Sequence, residues 1–162
     1  MLGLGQMQTQ IAGMRLEDEI KQTKGFKSER HKATVNIMFT EGWIRDKFSA
    51  TLKPYDLTNQ QYNVLRILRG SDPKPLSTSD IRDRMLDKMS DASRIVDRLF
   101  RKGLVTKKTC RADKRLVDIG ITKEGLTILA QIDDLAQFSD ILDSITEAEA
   151  AELNRILDKA RS

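Results

Sequence analysis

Arg94, Asp97, Arg98 and Arg101 stand at i, i+3, i+4 and i+7. On a helix that spacing gathers them on one face. Ser90, Asp91 and Ser93 lead the same segment. An arginine guanidinium is a planar fork of donors. It bonds phosphate, or the O6 and N7 edge of guanine, through two hydrogen bonds, while a serine hydroxyl reaches either bases or phosphates. The two aspartates argue against a purely electrostatic grip: they hold the arginines in place or accept from cytosine. The competing reading is an amphipathic helix with salt pairs along its solvent side. A second cluster is Cys110-Arg111-Ala112-Asp113-Lys114-Arg115. Arg111, Lys114 and Arg115 on a short turn project positive charge outward, and a narrow minor groove attracts an inserted arginine. Asp113, two residues before Arg115, is placed to orient that guanidinium. The competing reading here is a charged loop without a ligand.

The elements that must carry these groups are legible around them. Thr58 and Gln61 have the form of a capping box, opening a helix with Tyr62, Leu65, Ile67 and Leu68 that stops at Gly70. Residues 71–75 read as a loop. Ser77 to Asp80 is a second N-cap signal, before a short helix with Ile81 and Met85 inward, and Leu86 to Met89 form a turn. Ser90 or Asp91 caps the next helix, whose buried stripe is Ala92, Ile95, Val96 and Leu99. Gly103 supplies a left-handed stop. The period then changes to two: Leu104–Thr109 predicts one strand, and Val117, Ile119 and Ile121 alternate along a second. Ser77 and Thr78, opening the first helix of this pair, complete the predicted DNA-binding set.

Flanking segments are helical. Residues 27–52 predict one helix of about 26 residues, about 39 Å long, ended by Pro54. That length exceeds what a small core needs and suits packing against a second subunit. After Thr122, Ile128, Ile132, Leu135, Phe138, Leu142 and Ile145 recur at spacings of three and four. A capping box at Thr146 and Glu149 restarts a helix through Leu153, Ile156 and Leu157. So much apolar surface with so weak a connection to the hairpin asks for a partner.

Charge is distributed unevenly. Residues 77–115 carry 12 Lys/Arg against 6 Asp/Glu, whereas residues 116–162 carry 4 against 10. A basic block in a mixed chain is the electrostatic footprint of a DNA-binding face. No apolar run approaches the roughly 20 residues of a membrane span, and the N-terminus lacks the pattern of a secretory signal. With one cysteine in 162 residues no intrachain disulfide can form, so a cytoplasmic protein without membrane contact is expected. His31 and Cys110, far apart, predict no metal site. No cofactor motif, phosphate loop or catalytic arrangement is present, so the chain does not read as an enzyme.

Helix, helix and basic hairpin in this order make a winged helix-turn-helix. The run ASRIVDRLFRKGLV, the Asp113-Lys114-Arg115 signature and the exit Ile119-Gly120-Ile121-Thr122-Lys123-Glu124-Gly125 resemble the DNA-binding core of the MarR (multiple antibiotic resistance regulator) family. With the LTNQQYNVLRIL helix, the resemblance spans about two-thirds of the chain. One departure is the turn Leu86-Asp87-Lys88-Met89, which lacks the glycine common at that place.

The resemblance implies a mainly α fold with a small β-hairpin and long N- and C-terminal dimerisation helices. The expected organisation is an extension and long helix at 1–55, a winged domain at 56–122 and C-terminal dimerisation helices at 123–162. It implies a homodimer reading palindromic double-stranded DNA, in the manner of a ligand-responsive repressor. In it, Arg115 enters the minor groove with Asp113 supporting it. A small aromatic or amphipathic effector is expected among Met38, Phe39, Trp43, Tyr55 and Tyr62, which otherwise read as core. Two alternatives stand beside this reading: a winged-helix module whose basic wing docks an acidic protein, and a redox-responsive regulator acting through Cys110. That thiol lies beside Lys107, Lys108 and Arg111, which favour the thiolate. The cysteines of oxidant-sensing relatives, by contrast, lie in the dimerisation helices.

Overall fold

Local signals set the helix starts. Thr58 Oγ1 accepts the N–H of Gln61 at 3.2 Å, and Gln61 Oε1 accepts the N–H of Thr58 at 3.2 Å. Ser77 with Asp80 and Thr146 with Glu149 build the same reciprocal box. The computed structural model describes residues 15–109, 117–135 and 141–162. Along them run α1 (Leu16–Glu19), α2 (Glu29–Leu52), a 3-10 turn (Lys53–Tyr55), α3 (Asn59–Arg69), α4 (Thr78–Arg84), α5 (Ala92–Arg101), β1 (Val105–Thr109), β2 (Val117–Ile121), α6 (Lys123–Asp133) and α7 (Glu147–Ala160).

Two compact units divide between Trp43 and Ile44. In the first, Leu16 is buried and Lys32 Nζ sits 2.6 Å from Glu17 Oε1, holding that carboxyl below its ordinary range. Ser28 Oγ accepts the N–H of His31 at 3.1 Å, so the long helix opens just after position 27.

The second unit holds the continuous core. Leu52, Val64, Leu65, Ile81, Met85, Val96, Leu99, Ile119, Leu129 and Ile132 are each essentially removed from solvent there. α3 packs against α4, α5, α6 and β2. β1 and β2 are antiparallel, with Val105 opposite Ile121, Lys107 opposite Ile119 and Thr109 opposite Val117. The loop predicted at 71–75 leads into a bridge. Leu76 and Ile119 exchange both backbone hydrogen bonds at 2.9 Å, which extends the small sheet on its other edge.

The stop after α5 follows from Gly103, whose φ of 72° allows Leu104 N–H to reach back to Leu99 O at 3.0 Å. This cap uses Leu104, so β1 begins one residue later than the alternation suggests. Thr122 Oγ1 donates to Gly103 O at 2.9 Å and caps α6, accepting from Gly125 N–H at 3.1 Å. α6 and Leu104 approach so closely that a Cβ on Gly125 would lie 2.5 Å from Leu104 O.

Three expectations change. The apolar recurrence after Thr122 is not one helix: α6 ends at Asp133, Leu142 is 41% exposed, and Leu142 and Ile145 precede α7 in a turn. Phe138 lies outside the described residues. Ile95 is only partly buried, because α5 turns its Ala92–Val96–Leu99 edge to the core. Along α2 only Leu52 is buried, while Met38 and Trp43 are 69% and 40% exposed.

Candidate nucleic-acid interface

The helix pair is held from both ends. Asp80 accepts from Ser77 through its hydroxyl at 2.7 Å and its N–H at 3.0 Å, which keeps its carboxyl ionised below the ordinary range. Ser77 and Thr78 are half-buried at the start of α4. At its end, Leu86 N–H donates to Asn63 Oδ1 at 3.1 Å, tying the turn to α3.

The glycine-free turn is built on Asp87. Its carboxylate accepts the Ser90 hydroxyl at 2.6 Å and the Met89 N–H at 3.0 Å, and these two bonds lower its pKa. Among the described residues only Lys21, Asp56 and Gly103 have positive φ, so this turn needs no glycine. An aspartate side chain folding back on backbone two residues ahead does the work of a tight backbone turn. Asp-x-x-Ser was the readable signal.

Of the two possible caps for α5, Asp91 is the one used: its Oδ1 accepts the N–H of Arg94 at 3.1 Å. The same carboxylate stands 4.0 Å from Arg94 Nε. Ser93, Arg94, Asp97, Arg98 and Arg101 are all exposed on α5, as the spacing predicts. Asp97, however, is engaged by a residue outside its helix. Lys107 Nζ on β1 lies 2.5 Å from its Oδ1, and that bond, more than Arg101, depresses its pKa. Lys107 also stands 6.0 Å over the Phe100 ring. The pair fixes the first hairpin strand against α5, a link that sequence spacing did not reveal.

Arg98, Arg101 and Lys102 face the start of α3 across an open groove of about 710 Å³ that also takes in Arg45 and Lys53. Lys102 anchors it, donating to Asp56 O, to Asp56 Oδ2 at 2.9 Å and to the buried Gln61 Oε1 at 3.4 Å. A smaller recess of about 240 Å³ lies along Ser90, Arg94, Ile95 and Arg98. Positive groups therefore line α5 along most of its exposed length.

Arg111, Asp113, Lys114, Arg115 and Cys110 lie outside the described residues. The five residues assigned to an effector are not brought into either recess. Met38, Phe39 and Trp43 belong to the first unit. In the second, Tyr62 is 8% exposed in the core with its hydroxyl accepting from Arg66 at 2.8 Å, and Tyr55 packs beside that core. Among the described residues no helix is long and apolar enough to cross a membrane, and no three His, Cys, Asp or Glu side chains cluster as metal ligands.

Known proteins share this arrangement. The MarR family model matches residues 55–116. The HTH-type transcriptional repressor IacR of Pseudomonas putida is 30% identical over 109 residues, which cover 66% of this chain and 64% of the repressor. A mutant MarR from Escherichia coli complexed with operator DNA superposes with a TM-score of 0.72 at 23% identity, over 85% of this chain and 99% of that one. The organohalide-sensing regulator RdhR in its 2,4-dichlorophenol-bound form superposes with a TM-score of 0.74 at 21% identity, over 96% and 88%. The fold is thus the mainly helical, two-stranded architecture of MarR winged-helix proteins. Residues 55–116 thus match the MarR family model, and the fold around them is that of MarR proteins.

Proposed function

We propose that this chain is a sequence-specific DNA-binding transcriptional regulator that acts as a homodimer, and that it is a repressor of the genes beside a palindromic operator. The observation that carries the reading is α5: a capped helix with Arg94, Arg98 and Arg101 exposed, following a capped α4. A helix so placed enters the major groove N-terminus first, and arginines there read guanine or grip phosphate. The match to a MarR protein bound to operator DNA supports the same use of the fold. Exposed Leu153 and Ile156 on α7 support self-association. The RdhR likeness supports a small aromatic effector, which we assign to the exposed Met38, Phe39 and Trp43 face of α2. Such a ligand weakens DNA binding only by preferring the free form.

Selection of bound DNA from a random pool tests this directly. A palindrome with half-sites about one helical turn apart is expected, with affinity that falls steeply as salt rises. Arg94→Ala should weaken operator binding by about 1–3 kcal/mol without altering thermal stability. Enrichment of no sequence would overturn the reading.

A further inference from the structure

At the leading edge of α5, two of the polar side chains predicted to read bases are used within the protein. The Ser90 hydroxyl donates to Asp87 at 2.6 Å. The Asp91 carboxylate caps the helix through Arg94 N–H. Lys88 folds back, with its Nζ 2.5 Å from Asp83 O. The residue left unengaged is apolar. Met89 is 94% exposed, the most exposed large apolar residue described, two positions before the Asp91 cap. Its backbone is held in place by the bond to Asp87. In a solvated monomer such a thioether gains nothing. In the major groove the one apolar feature of a base edge is the C5-methyl of thymine, and methionine's flexible, polarisable chain suits an irregular apolar contact.

From this we infer that Met89 is a specificity-determining residue that packs on a pyrimidine C5-methyl, that of thymine, in each half-site. The inference rests on the DNA-binding reading above and adds a base preference to it. The contact is methyl against thioether, so polar groups do not supply it. Burial of one methyl group corresponds to about a fourfold change in affinity.

The test compares wild type, Met89→Ala and Leu86→Ala. Leu86 is 87% exposed but lies at the start of the turn, just past the Met85 cap of α4, so its variant controls for loss of exposed apolar surface. Random-pool selection should give wild type and Leu86→Ala the same thymine preference in each half-site, and Met89→Ala should lose it. On the selected operator, replacing that thymine by deoxyuridine should weaken wild-type binding about fourfold and leave Met89→Ala unaffected. 5-Methylcytosine in place of cytosine there should strengthen wild-type binding, which separates the methyl group from the rest of the base. An operator bound equally with thymine and deoxyuridine, or a Met89→Ala variant with the wild-type preference, overturns the inference while the DNA-binding reading stands. Failure of wild type to select any DNA overturns both. Exposure of Met89 means that its truncation leaves the core untouched.

Discussion

α5 and α7 are made from the same ingredients and end in different surroundings. Each opens on a side-chain cap, Asp91 or Thr146, and each repeats apolar residues at helical spacing. α5 buries Ala92, Val96 and Leu99. Among the described residues, α7 has no buried one, and its Leu153 and Ile156 are 41% and 48% exposed. Helix formation needs only local signals, whereas burial depends on what lies opposite. The winged unit covers α5 with α3, α4 and β1, so that helix is fixed by its own chain. In the proposed homodimer the stripe on α7 would pack against the second copy.

The largest expected effect breaks this contrast if it fails. Leu99→Ala empties a site with no solvent exposure and should cost about 2–5 kcal/mol in urea unfolding. Ile156→Ala should leave dilute stability nearly unchanged and lower the melting temperature only at concentrations where wild type associates. Equal losses in the two variants would mean that α7 is as covered as α5.

Gly125→Ala sharpens the account of the packed half. Its methyl would press on Leu104 O at 2.5 Å and on Ile121 Cγ1 at 2.8 Å. A loss of about 1–3 kcal/mol is expected by the same measurement. Smaller again is the effect of caps. Ser77→Ala should lower global stability by about 1 kcal/mol. Thr146→Ala should instead speed hydrogen exchange within α7, leaving the midpoint of global unfolding in place.

Acid should give the smallest and most graded change. Hydrogen bonds from Ser77, from Ser90 and Met89, and from Thr146 hold Asp80, Asp87 and Glu149 below their ordinary pKa values. Folded values lower than unfolded ones mean that these groups stabilise the fold above the unfolded pKa. That contribution is lost as pH falls below the ordinary carboxylate range and through the folded values. Melting temperatures measured down to about pH 3 should therefore decline less for Ser77→Ala, which lacks the hydroxyl acting on Asp80, than for wild type.

Much of the fold was legible because its signals are local. Thr58, Ser77 and Thr146 each sit three residues before the carboxylate or amide that completes the box. Gly103 marks a left-handed stop, and Val117, Ile119 and Ile121 mark a strand. The candidate interface was legible in part, since Arg94, Arg98 and Arg101 need only helical spacing to share an exposed surface. The Asp97–Lys107 pair was not, because it joins a helix to a strand across Gly103, and no periodicity connects them. The Lys102 anchor on Asp56 and Gln61 spans more than forty positions and was equally hidden. The Leu76–Ile119 bridge lay in a proline-rich stretch that reads only as loop.

By itself, then, the amino-acid order determined where helices start, where they stop, which residues alternate along the hairpin and where positive charge concentrates. Each of these depends on neighbours a few residues away. Tertiary structure alone decided that Asp97 pairs with the hairpin strand and that Lys102 ties the end of α5 to Asp56 and Gln61. It also decided that Met89, not Ser90, is the unengaged side chain leading that helix. The Asp97 and Lys102 pairs depend on atoms brought together from separate elements, and any hydrogen bond made inside the protein removes a group from the surface open to a partner.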